Sequence, residues 1–225
     1  MRPRVFVPEA AMKSARHATT IMIACMFAFG SMPEAQAFIV NITPVNTQAQ
    51  VYLRVGDGAF NGNYNNGGTP AASATITRVS VSLAAAAVGN GTAQAMTTNA
   101  TQATSFYDGY AFCNLPAQVY IGGYNRGGTL GAGGNGTLTV TAPANLTNAG
   151  GNTIPFSQIS WTSSGNGDTG AQPFPAGAFT GGTQTLASFP VNTWRESCHT
   201  FSYANANRVA AGTYAGQVTY TLSVP

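Results

Sequence analysis

Few side chains in this sequence could move a proton or hold a metal. Between Phe38 and Pro225 there is one histidine, His199, with four acids, Asp57, Asp108, Asp168 and Glu196, five arginines and no lysine. His199 directly follows Cys198. Neighbours on an extended strand point to opposite faces, so these two do not form a Cys–His dyad. A Ser–His–Asp set would have to recruit His199 with one of the aspartates, and no Gly-x-Ser-x-Gly nucleophile turn is present. Glycoside hydrolysis needs two facing carboxyl groups. Here the four acids are scattered, and Asp57, Asp108 and Asp168 each sit beside a glycine, as turn formers do.

Metal and phosphate chemistry are equally poorly provided for. Asp57-Gly58-Ala59-Phe60-Asn61-Gly62-Asn63 begins like a calcium loop, but Ala59 stands at its second ligand position and Gly68 where a bidentate acid belongs. Gly165-Asn166-Gly167-Asp168-Thr169 is a single fragment of a calcium-binding nonapeptide, too little for stacked sites. Gly133-Gly134-Asn135-Gly136 lacks the following lysine and helix of a phosphate cradle. We expect no cofactor, no metal and no enzymatic turnover. Tyr64, Tyr107, Tyr110, Tyr124 and Trp161 lie in or near Asn/Gly-rich stretches. Such aromatics could stack on uncharged sugars in a lectin-like module, or simply cover the ends of a β-sandwich.

The elements that position these residues follow from the rest of the chain. The net charge of +3 comes mostly from the first 37 residues. Beyond them, five arginines oppose four acids, too even a balance for nucleic-acid binding or for docking on anionic membranes. Lys13, Arg16 and His17, the apolar run Thr20 to Gly30 and the small-x-small Ala35-Gln36-Ala37 read as a signal peptide cut after Ala37. An alternative reading takes Cys25 as a lipidation site. The apolar run is too short to span a bilayer, and no membrane span is expected. Removing residues 1–37 leaves Cys113 and Cys198, an even pair in an oxidising compartment, which reads as one disulfide. Residues 38–225 then form a single secreted domain.

No window shows a capped 3.6-residue apolar period, and only Ala84 to Val88 suits a helical turn. Period-two alternation instead marks strands at Ala49 to Val55, Val79 to Leu83, Leu138 to Val140 and Val218, Tyr220, Leu222, Val224. Less regular strands are expected at Phe38 to Thr43, Gln118 to Gly122, Ser157 to Trp161, Gln184 to Phe189 and His199 to Ala204. About nine short strands joined by Gly/Asn turns, among them Asn125-Arg126-Gly127-Gly128, predict an all-β chain: an antiparallel sandwich with one disulfide.

The final stretch carries the most information. Ala211-Gly212-Thr213-Tyr214, followed by the alternating strand through Val218, Tyr220, Leu222 and Val224, resembles the C-terminus of secreted subunits assembled by the bacterial chaperone–usher system, including the spore coat protein U type. Gly212, fourteenth from the end, matches the pilin pattern. Two departures stand beside the match: Val224 replaces the usual aromatic next to last, and the cysteines are not paired within the first half. The resemblance implies an incomplete, immunoglobulin-like or pilin-like sandwich in a fimbrial surface subunit. Its groove would accept a strand first from a periplasmic chaperone and then, at the usher, from the next subunit, at the surface of a Gram-negative bacterium. Phe38, Val40 and Ile42 are the candidate donor residues; the other reading pairs Phe38 to Thr43 within its own sheet.

Overall fold

The computed structural model describes residues 38–45, 48–128, 133–165 and 170–225. The signal-peptide reading of residues 1–37, the Cys25 alternative and Asp168 lie outside the described residues. Sixteen short strands make up the described chain: β1 Ile39–Asn41, β2 Gln50–Val55, β3 Ala59–Asn61, β4 Thr69–Ala71, β5 Val79–Ser80, β6 Gln94–Ala95, β7 Thr97–Thr98, β8 Val119–Arg126, β9 Gly136–Thr141, β10 Asn145–Thr147, β11 Thr153–Pro155, β12 Ile159–Ser164, β13 Gly177–Ala178, β14 Thr183–Phe189, β15 Thr193–Tyr203 and β16 Thr219–Ser223. All ladders are antiparallel. Helical content among the described residues is limited to single 3-10 turns, one of them at Ala85–Ala87 where the sequence suggested it.

A large sheet in the order β13-β12-β15-β8-β2 faces a small one in the order β14-β9-β16. Between them lies the main core, with Val119, Ile121, Trp161 and Phe201 from the large sheet against Leu138, Val140, Leu186 and Phe189 from the small one. Strand alternation generates this core. Leu53 and Val55 of β2, Val119 and Ile121 of β8, and Phe201 and Tyr203 of β15 turn inward, while Tyr52, Tyr120, Tyr124 and Trp194 turn to the other face.

That second face is also covered, which the alternation did not anticipate. The β3–β4 hairpin and residues 99–118 form an irregular outer layer over two aromatic clusters, one around Trp194 and Tyr124, the other around Tyr120 and the disulfide. Cys113 and Cys198 are bonded, with Cα atoms 5.6 Å apart, and so tie this layer to β15.

β15 is the centre of the molecule. β8 pairs with Thr193 to Ser197 and β6 with Ser202 and Tyr203, end to end on one edge. β1 pairs with Thr193 to Arg195 and β12 with Cys198 to Tyr203 on the other edge. The strand begins at Thr193, six residues before the predicted start, because Trp194 and Glu196 find buried partners on its outer face.

The expected turn at Asn125-Arg126 is a second departure. Both residues belong to β8, where buried Asn125 uses its Nδ2 to donate to the carbonyls of Gly134 and Phe189, each at 3.0 Å. Gly122 and Gly123 do not break this strand; they make room inside it. A Cβ on Gly123 would sit 1.9 Å from the Tyr52 carbonyl oxygen, and one on Gly122 would meet the Tyr120 hydroxyl at 2.4 Å. The predicted strand Val79 to Leu83 is a ladder only at Val79–Ser80, paired to β7. Val81 and Leu83 continue the alternation as extended chain and pack on the main core without a sheet partner in the ladders described.

Candidate functional site

The sequence placed its functional weight on two stretches, and the structure separates them. Phe38, Val40 and Ile42 lie on the outer face of the large sheet. Ile39, Val40 and Asn41 pair with Arg195, Trp194 and Thr193, and the Phe38 carbonyl accepts from the Glu196 amide at 3.3 Å. Ile42 is buried beside Trp194, with Phe38 and Val40 packed on the same cluster. The arm is thus an internal strand of its own chain, the second of the two readings the sequence left open.

Val218, Tyr220, Leu222 and Val224 occupy a different environment. β16 pairs on one edge with β9, and among the described residues no strand bonds its other edge. The four side chains alternate with exposed Thr219, Thr221 and Ser223, yet none is fully buried. Their cross-strand neighbours Leu138 and Val140 have almost no exposure. Burial raises the Tyr220 hydroxyl pKa above its ordinary value. Gly212 is not part of this strand. It lies in an exposed turn where a Cβ would meet the Asn148 side chain at 2.9 Å, with Ala215 bridging to Thr147 just after it.

β2, the edge of the large sheet, lies on the same flank. Its Cα atoms come within 8 Å of those of β16, but no ladder joins the two strands. Both strands therefore turn a row of backbone donors and acceptors toward a flank lined by half-buried Leu53, Val55, Val218, Tyr220 and Leu222. Beside β2, a cavity of about 280 Å³ runs along Tyr52 to Val55 and is bounded on its far side by Ala71, Ser73 and Thr75. Val51 on β2 is 48% exposed and Ile76, just beyond Thr75, is 74% exposed. The alternation at Ala49 to Val55 made β2 legible as a strand, but its position at an edge depends on long-range pairing that no local pattern encodes.

The ionisable side chains are engaged elsewhere. Arg54 is buried with its guanidinium between the rings of Phe106, 3.9 Å away, and Tyr120, 4.1 Å away. Its Nε donates to the Gly56 carbonyl at 2.7 Å, and its two Nη donate to those of Thr104 and Gln102 at 3.0 Å. Asp57 Oδ1 accepts from the amides of Thr101 and Gln102 at 2.8 and 3.0 Å, so the start of the apparent calcium loop is a clamp on the outer layer. Asp108 accepts from the Tyr110 amide within its own turn. Among the described residues, no group of three or more His, Cys, Asp or Glu is placed to hold a metal ion.

Arg195, Glu196 and His199 do not converge. His199 lies on the inner face, stacked on Trp161 at 5.6 Å with its Nε2 3.3 Å from the Phe174 carbonyl. Burial holds its pKa down to about 4. Glu196 lies on the outer face, where the Tyr120 hydroxyl and the Trp194 indole N–H both meet its Oε2. Arg195 reaches sideways to the Ser188 carbonyl. The signal for Arg54 and Glu196 was a charged residue inside an apolar strand pattern, which here marks a position covered by the outer layer.

The loop aromatics divide in the same way. Tyr124 and Trp161 are buried, and Tyr64 and Tyr107 stack on each other within the Trp194 cluster. Tyr110 alone of the five is largely exposed. Most of the surfaces offered to a sugar by the sequence are therefore spent on packing. No helix among the described residues is long and apolar enough to cross a membrane. Comparisons with protein-family models, with curated proteins and with solved structures find no match for this chain.

Proposed function

We propose that this chain is a secreted structural or adhesive surface subunit that is completed by a strand from another polypeptide, delivered by a periplasmic chaperone and usher. The single observation that carries the reading is the flank between β2 and β16: two strand edges without ladder partners among the described residues, beside a half-buried apolar row. An added strand gains main-chain hydrogen bonds along such an edge, and its alternate side chains gain burial against the row. The disulfide between Cys113 and Cys198 suits export to an oxidising compartment.

The strand comes first from the chaperone in the periplasm and then, in the assembled state, from the next subunit. For the next subunit, the arm at Phe38 to Ile42 has the alternation required, and serving as donor means leaving its three pairs on β15. The test is a photo-crosslinking amino acid at Tyr220 in the native host. Cross-linking to a chaperone in the periplasm and to a second copy at the surface, with heat-sensitive oligomers on gels, is the expected result. A cooperative monomer with a high melting temperature and no cross-link at Tyr220 would exclude strand completion.

A further inference from the structure

Glu196 is fully buried, and the function proposed above does not use it. It lies directly opposite Gly122 in the β15–β8 ladder, and the missing side chain there is what lets Tyr120 reach it. Oε2 receives both the Tyr120 hydroxyl and the Trp194 Nε1–H, the latter at 3.0 Å, while Oε1 has no hydrogen-bond partner. Every element against it contributes a group. β8 brings Tyr120, β2 brings Arg54, the outer layer brings Ser105 and Asp108, and the residue before β1 brings the Phe38 carbonyl. Arg54 is the only cation among these, and its donors are committed to the carbonyls of Gly56, Gln102 and Thr104, so it attracts the carboxylate through space without a direct ion pair among the described residues.

A carboxyl group so placed has two states with different consequences for packing. Protonated, it is a neutral acceptor that fixes Trp194 and Tyr120 and costs little to bury. Ionised, it is a buried charge met by two hydrogen bonds on one oxygen and by the field of Arg54, with desolvation still the larger effect, and the layer must admit water to relieve it. We propose that Glu196 is a pH-operated pin that holds the outer layer, residues 99–118 and the β3–β4 hairpin, on β15 when protonated and loosens it when ionised.

Burial lifts the Glu196 pKa to about 7, opposed by the hydrogen bonds from Tyr120 and Trp194 and by the nearby Ser105 hydroxyl. The folded value lies above the unfolded one, so this contribution is fully present below pH 4.5 and is lost as the pH rises through about 7.

The experiment uses the full chain and three readouts. The first is the carboxyl carbon-13 signal of Glu196, assigned as the one lost in Glu196→Gln. The second is Trp194 emission in a Trp161→Phe background, and the third is amide hydrogen exchange. The expected results are a carboxyl midpoint near neutrality, a Trp194 emission change with the same midpoint, and protection in residues 99–112 that falls by about tenfold per pH unit between pH 5 and 7. Glu196→Gln should hold the acid-form protection across that range. Tyr120→Phe, which removes a donor to the ionised form, should move the midpoint upward. A carboxyl group that titrates as an ordinary exposed glutamate overturns the proposal, as does an outer-layer pH dependence that persists in Glu196→Gln.

Discussion

β15 and β16 are both alternating strands from the last part of the chain, and they meet opposite surroundings. β15 carries neighbours on both edges and both faces, and eight of its eleven residues are buried. That enclosure admits polar groups, Glu196 and His199, only where each finds a partner. Among the described residues β16 pairs with one strand, and it buries none of its five residues fully. The same two-residue period therefore gives an enclosed interior in one place and a half-buried rim in the other. What separates them is the number of ladders, which depends on chain segments from about 35 to about 155 residues away in sequence.

The most disruptive way to test the enclosure of β15 is to cut its tie to the outer layer. Cys113→Ser with Cys198→Ser should lower the unfolding free energy by up to about 4.5 kcal/mol, the loop-closure value for a span of this size, read from denaturant midpoints. Slopes rather than midpoints should reveal the interior His199. Its folded pKa lies below the unfolded value of 6.5, so its contribution is intact above that pH and is lost as the pH falls toward 4, by about 3 kcal/mol in all. Glu196 slopes the other way over part of that range, so the loss should stand out in Glu196→Gln and vanish when His199→Phe is added. The smallest effect belongs to the rim. Leu222 faces Leu138 across the β9–β16 ladder. Leu222→Ala should cost the isolated chain about 1 kcal/mol, and Leu138→Ala about 3 kcal/mol. In the assembled state the Leu222 cost should grow toward that of Leu138. Equal costs in the isolated chain would mean that the rim is already complete.

Much of the fold was legible in the sequence, for reasons that particular residues make plain. The alternation at Leu53–Val55, Leu138–Val140 and Tyr220–Leu222 gave strands with the correct inward face, and counting cysteines gave the disulfide. Asn125 and Arg126 read as a turn because composition does not show that Asn125 would be held by two distant carbonyls. The outer layer was invisible because its cluster is assembled from Phe38, Tyr52, Phe60, Phe106, Tyr107 and Trp194, which no single window contains. The flank at β2 and β16 was half legible: the sequence named the last strand, while its companion edge emerged only from the order of the sheets.

The burial of Arg54 has a practical corollary for handling this protein. With no lysine after residue 37, a trypsin-like protease can cut the described chain only at arginines, and of these Arg78 and Arg208 are the exposed ones. Cleavage after Arg208 would leave the seventeen-residue tail attached to the disulfide-bonded body only by non-covalent contacts, chiefly the β9 ladder. The tail could then be exchanged for a synthetic peptide, making β16 replaceable without altering the gene.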